Sequence, residues 1–181
     1  ATGGGSVSAV YQINIGSPFA VPIEGWGASA WGQGAWGVGE SSTTPIRFWS
    51  QSNFGEDLIF GHDGGSIYYW DATNGVGTRG VLLSSLTDAS DVPTVQNIIL
   101  VSDINRFVFC FGTNPIGSST LDPTLFRWSD QESAINWTPS ATNQAGSLRL
   151  SRGTKIVAAS QARQEVLVWT DSSLYSLQYA G

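Results

Sequence analysis

The sequence is poor in charge. Only 12% of its 181 residues are Asp, Glu, Lys or Arg, about half the share of an ordinary globular domain. Lysine is reduced to Lys155, histidine to His62 and cysteine to Cys110, and methionine is absent. One cysteine excludes an internal disulfide. One histidine excludes metal sites built from several imidazoles. The net charge is −6, from fourteen carboxylates against eight cations. No basic stripe exists to grip a phosphate backbone, so specific nucleic-acid binding is not expected. An acidic wall past which DNA slides as cargo stays compatible with that charge. No apolar run reaches the ~20 residues of a membrane span, and no stretch has the pattern of a signal peptide. Asn136-Trp137-Thr138 matches a glycosylation sequon, and without a secretory pattern it reads as chance.

What replaces charge is glycine, 22 residues, together with hydroxyl and amide side chains. Eight Trp, eight Phe and five Tyr supply ample surface to bury, which excludes a disordered chain. The pattern is all-β, with short apolar segments separated by polar turns. Asp57 to Phe60 leads through Gly61 to Ser66 into Ile67 to Trp70, and its Asp-Gly-Gly turn is a strong hairpin signal. Ile98 to Val101 leads through Ser102 to Arg106 into Phe107 to Phe111. Within that last run Phe107, Phe109 and Phe111 share one face, and Val108 and Cys110 share the other. Lys155 to Ala159 leads into Glu165 to Trp169, then through Asp171-Ser172-Ser173 into Leu174 to Tyr179. No helix is expected beyond one turn within Ser84 to Asp91.

Antiparallel clusters at a period near 40–50 residues are what propeller blades give. The expected fold is therefore antiparallel hairpin units in a propeller-like series, partial or part of a larger propeller; a β-sandwich is the alternative. The second interval is longer than the first, as two intruding loops would explain, Gly112 to Thr124 and Gln131 to Ser147. Loops of that length are usually functional or contact-making. "RFWS" from Arg47 and "FRWS" from Phe126 form a further echo. Two domains are expected: 1–45, holding a strand at Val7 to Ile15 and a Gly/Trp-rich arm, and 46–181, the hairpin domain. The missing methionine, the opening Thr2-Gly3-Gly4-Gly5 and the strand-like end lead to the expectation that the hairpin domain continues in a longer parent chain.

Catalytic signals are thin. His62 lies in a turn beside Asp63, which is not a triad geometry, and no G-x-S-x-G elbow accompanies it. Asp63, Asp71, Asp103, Asp130 and Asp171 all fall in turns, where Asp bonds its own backbone. Ser129-Asp130 with Trp137 downstream faintly resembles the Asp-box turn of sialidase-like propellers, a structural device. No phosphate or dinucleotide loop is present. No catalytic residue, metal ligand or cofactor is therefore assigned. The arm "GWGASAWGQGAWG", Gly25 to Gly37, places Trp26, Trp31 and Trp36 at steps of five. Neither a helix nor a strand puts all three on one face. Glycine beside each lets the backbone turn, so each ring can enter its own pocket, as interface anchors do. Trp137, in the second long loop, is a fourth interface candidate.

The strings "FWSQSNFGEDLIF" and "GGSIYYWDA" (Phe48 to Ala72), "FRWSDQESAINWTPSATNQAGSLRLS" (Phe126 to Ser151) and "QEVLVWTDSSLYSLQY" (Gln164 to Tyr179) resemble segments of tailed-bacteriophage virion proteins. The kind they are most similar to is the tail nozzle or packaged-DNA-stabilisation protein, over roughly Gly25 to the end. That resemblance implies a β-propeller protein of the virion tail, forming a homo-oligomeric ring. It implies docking to neighbouring tail or neck proteins, passage of DNA at genome ejection, and no catalytic residues. The sequence departs from a closed propeller in showing about three units where four or more close a ring. The rival expectation is a carbohydrate-binding or glycan-degrading receptor-binding domain.

Overall fold

Short apolar runs closed by glycine turns dictate antiparallel meanders, and the structure, a computed structural model that describes residues 47–179, consists of them. The chain divides into two units, 1–47 and 48–181. The expected strand at Val7 to Ile15 and the arm with Trp26, Trp31 and Trp36 lie outside the described residues.

Among the described residues three antiparallel sheets follow one another. The first holds β1 (Trp49–Phe54), β2 (Asp57–His62), β3 (Tyr68–Trp70) and β4 (Val81–Leu82). The middle one holds β5 (Gln96–Val101), β6 (Val108–Thr113), β7 (Asp122–Trp128) and β8 (Gly146–Arg149). The third holds β9 (Ile156–Gln161), β10 (Val166–Thr170) and β11 (Leu174–Leu177). In every sheet sequence neighbours are sheet neighbours. Among the described residues the helical elements are two short 3-10 turns, Ala72–Asn74 and Leu83–Ser85. The all-β class and the three expected hairpins are therefore observed. A two-sheet sandwich is replaced by three stacked sheets, and the described residues close no barrel or propeller. The "RFWS" and "FRWS" echo does not mark equivalent positions: Trp49 opens the first strand of its sheet and Trp128 closes the third of its own.

Side chains on both faces of the middle sheet are buried. Toward the first sheet, Ile99, Val101, Val108 and Cys110 pack with Ile59, Ile67, Leu83 and Trp137. Toward the third, Phe111 and Phe126 pack with Ile156, Val166 and Val168, flanked by Ile98, Leu100, Phe109 and Trp128. The rings on that side form a ladder, with centroids 5.9 Å apart for Phe109–Phe111, 5.6 Å for Phe111–Phe126 and 5.4 Å for Phe126–Trp128. The alternation expected in Phe107 to Phe111 holds, and both faces are packed, with Phe109 alone partly exposed.

The stacking repeats one operation. β5 lies against β1 and β2, and β9 lies against β5 and β6. At the first contact the Ser50 and Ser52 hydroxyls of β1 accept the Ile99 and Val101 amides at 3.0 and 3.1 Å. Those amides lie on the free edge of β5, so the serines cover an edge that would otherwise invite pairing. Gly61 allows the close approach. A Cβ there would meet Gln96 Nε2 at 2.6 Å, the Ser66 carbonyl at 2.7 Å and Ile99 Cδ1 at 3.0 Å.

The turns are fastened by carboxylates. Asp63 accepts the Phe48 amide at 2.9 Å, holding the entry to β1 against the β2–β3 turn. The Thr154 hydroxyl and amide hold the Asp171 carboxyl below its ordinary value. The Ser176 hydroxyl and Gln178 amide do the same for Glu165. At Asp122 burial pushes the carboxyl up, but the Thr124 amide and hydroxyl together with Arg149 outweigh it and hold it low.

Gly61→Ala is expected to cost about 1–3 kcal/mol through overpacking, read as a lowered urea midpoint. Gly77→Ala, whose Cβ would meet nothing within 4 Å, should be neutral or stabilising by up to about 1 kcal/mol. The depressed carboxyls contribute stability that is complete above their unfolded value of about 4 and is lost as pH falls through the lower folded values. Urea titrations at a series of pH values should therefore show an acid limb below about pH 4, shallower in Asp171→Asn.

Candidate functional site

A strand buried on one face alternates apolar and polar residues; one buried on both reads as a continuous apolar run. Leu58-Ile59-Phe60 in β2 and Val166 to Trp169 in β10 are continuous runs, like Ile98 to Val101 in β5. In β5 both faces are packed. In β2 and β10, which belong to the two end sheets, one face is packed and the other faces outward.

On the first sheet the outward rows follow from register. Trp49 pairs with His62, Gln51 with Phe60, Phe60 with Tyr68 and Tyr68 with Leu82. Trp49 and Phe60 stack at 6.4 Å, Phe60 and Tyr68 at 5.6 Å, and His62 meets Trp49 edge-on at 5.6 Å. Trp49 keeps 43% of its surface and Leu82 40%, so within the described residues this aromatic row is partly exposed. On the third sheet Ala158, Trp169 and Leu174 lie side by side, opposite in direction to the buried Val166 and Val168. Leu174 is 57% exposed.

The long loops do something else. Trp137, expected at an interface, is a core side chain with no exposed surface. Its indole N–H donates to the Ala134 carbonyl at 2.8 Å. The loop folds inward because Asp130 accepts the Gln131 and Gln144 amides at 2.8 and 2.9 Å, drawing its two ends together. Arg127, on the Cys110 side of β7, then clips three segments. Its guanidinium donates to the carbonyls of Asp91, Asn114 and Trp137 and lies 6.0 Å from the Trp137 ring centroid. Burial lowers its pKa, opposed by the neighbouring Cys110 and Asp91. The sequence carried a signal for this residue in an arginine set between Phe126 and Trp128 inside a strand, where only a partnered charge survives.

The remaining candidates take structural roles. His62 Nδ1 lies 2.8 Å from the Asp63 carbonyl oxygen. Asp71 accepts the Thr73 amide and hydroxyl at 2.8 and 2.6 Å and caps a 3-10 turn. Cys110 is fully buried, and burial pushes its thiol pKa up against the opposing pull of Arg127. Among the described residues no group of three His, Cys, Asp or Glu is placed to hold a metal ion, and no helix is long and apolar enough to cross a membrane. Comparison with protein-family models, curated proteins and solved structures finds no match for this chain.

Arg127→Met removes a buried charge but strands carbonyls that cost about 1–3 kcal/mol each when unpaired. The variant should lose about 3 kcal/mol or more in urea denaturation. Arg127→Lys should recover only part of this, because one ammonium cannot reproduce a planar fork. Equal stability of Arg127→Met and the parent chain would refute the clip.

Proposed function

We propose that this chain is a structural component of a bacteriophage tail, of the nozzle kind, which assembles as a homo-oligomeric ring. In this reading it docks neighbouring tail or neck proteins and passes DNA without binding it specifically. The observation that carries the proposal is the series of blade-like meanders whose two end faces are apolar and open. A wall built this way offers both of those faces to further copies or partners. Three further features support it: the resemblance of the Phe48 to Ala72, Phe126 to Ser151 and Gln164 to Tyr179 strings to tail proteins, the shortage of lysine, and the net charge of −6. A channel lined by acidic subunits repels a polyanion and lets it slide. The long loops, tied down by Arg127 and Asp130, offer fixed rather than floppy docking surfaces.

Glycan binding is the second reading. The stacked Trp49, Phe60 and Tyr68 favour it, since flat rings also receive sugars.

Mass photometry and negative-stain electron microscopy of the purified chain separate the two. The tail reading predicts one assembly of fixed stoichiometry and rotational symmetry. A monomer whose tryptophan fluorescence shifts on titration with oligosaccharides would overturn it in favour of glycan binding.

A further inference from the structure

The linker from the first sheet to the middle one, 83–95, is an arch on two feet. At one foot the Leu83 amide donates to the Ile67 carbonyl at 3.0 Å. At the other the Thr94 and Val95 amides donate to Asn114 Oδ1 at 3.0 and 3.1 Å. Between the feet, from 86 to 92, the hydrogen bonds that lead out of the arch to other described residues run to the 130–138 loop and to Arg127. Ser90 is the meeting point. Its amide donates to the Ile135 carbonyl at 3.0 Å, its carbonyl accepts the Trp137 amide at 3.0 Å, and its hydroxyl donates to Asn136 Oδ1 at 3.1 Å. Beside it the Thr138 hydroxyl donates to Asp91 Oδ2 at 2.6 Å. Leu83 and Val92 of the arch and Ala134 and Trp137 of the loop lie in one buried cluster with Cys110.

Three features weigh against this closed arrangement. The Ser90–Asn136 pairing is an isolated bridge with no further rung to support it. Asp88, Asp91 and Glu132 have φ of 64°, 47° and 55°, three of the four non-glycine residues in the left-handed region among those described, a conformation that carries strain. The Arg127 guanidinium is held from water with its Nε unpartnered, and opening would hydrate it. We propose that the arch and the 130–138 loop form a strap that opens as one unit while the three sheets stay paired, baring the Trp137 socket and the Cys110 thiol beneath. The hinges are the contacts that opening need not break: the two feet, the Asp130 carboxylate on the Gln131 and Gln144 amides, and the Arg127 bond to the Asn114 carbonyl. Local openings of this kind draw on segments held by few bonds, not on paired core strands. The strap gives the chain a second arrangement, in which an indole and an aliphatic socket become available where two sheets meet. It rests on contacts inside the first core and stands apart from the tail reading.

Cys110 has no exposed surface and is the single thiol of the chain, so it reports the opening without a mutation. The test follows its alkylation by N-ethylmaleimide in the full 181-residue chain at a series of sub-denaturing urea concentrations, with amide hydrogen exchange on the same samples. The strap predicts that the thiol and the Ser90 and Trp137 amides share one opening equilibrium with a shallow urea dependence. That opening should be at least about tenfold more frequent than the one that frees the β6 amides, whose slope is that of global unfolding. A thiol that reacts as rarely as the β6 amides exchange, with the same steep slope, overturns the proposal. So does a thiol that stays protected while the Ser90 and Trp137 amides exchange freely, since the strap would then fray without uncovering the core. Thr138→Val supplies a second check. It removes the bond to Asp91 at nearly constant volume and should speed alkylation about tenfold with the shallow slope kept. An unchanged rate, or a slope that rises to the global one, counts against the strap.

Discussion

The fold depends on a middle sheet whose inner strands are packed on both faces. β6 runs between β5 and β7 in its own plane and between the first and third sheets out of it. Its side chains have two apolar destinations, and hydrophobic burial, the largest favourable contribution to folding, is collected on both sides of one ribbon. The end sheets are too small to stand alone, since a few short strands need a second layer for stability. They are held by what the middle sheet offers: aliphatic side chains, Ser-capped amides and Trp137 on one side, a ladder of phenylalanines on the other.

The loop architecture follows from the same demand. A charge placed on a doubly buried strand must be partnered, and Arg127 finds its partners in backbone carbonyls of three loop segments. A loop of the length between β7 and β8 would ordinarily wander. Asp130 gathers its ends and Trp137 is drawn down as the cap of the first core. The loops thereby become part of the wall.

Much of this was legible in the residues. The hairpins at Asp57 to Trp70, Ile98 to Phe111 and Lys155 to Tyr179 follow from apolar runs and turn chemistry, and the all-β class follows from them. The two faces of Phe107 to Phe111 were legible by alternation, and the burial of both was implied by the absence of any polar residue in the run. Trp137 was misplaced because its loop carries a polar, turn-rich sequence that reads as solvent-exposed. Its burial is fixed by Arg127 and Asp130 through contacts distant in sequence, which periodicity does not report. The outward aromatic surface of the first sheet was hidden for a related reason. Leu58-Ile59-Phe60 states that both faces are apolar, but only the stacking shows which is left open.

The central claim is double burial of the middle sheet, and native-state amide hydrogen exchange tests it residue by residue. Protection should be greatest across β6, Val108–Thr113, with β5 and β7 next and the outer strands β4 and β11 exchanging orders of magnitude faster. Exchange in β6 as rapid as in β4 or β11 would contradict the account.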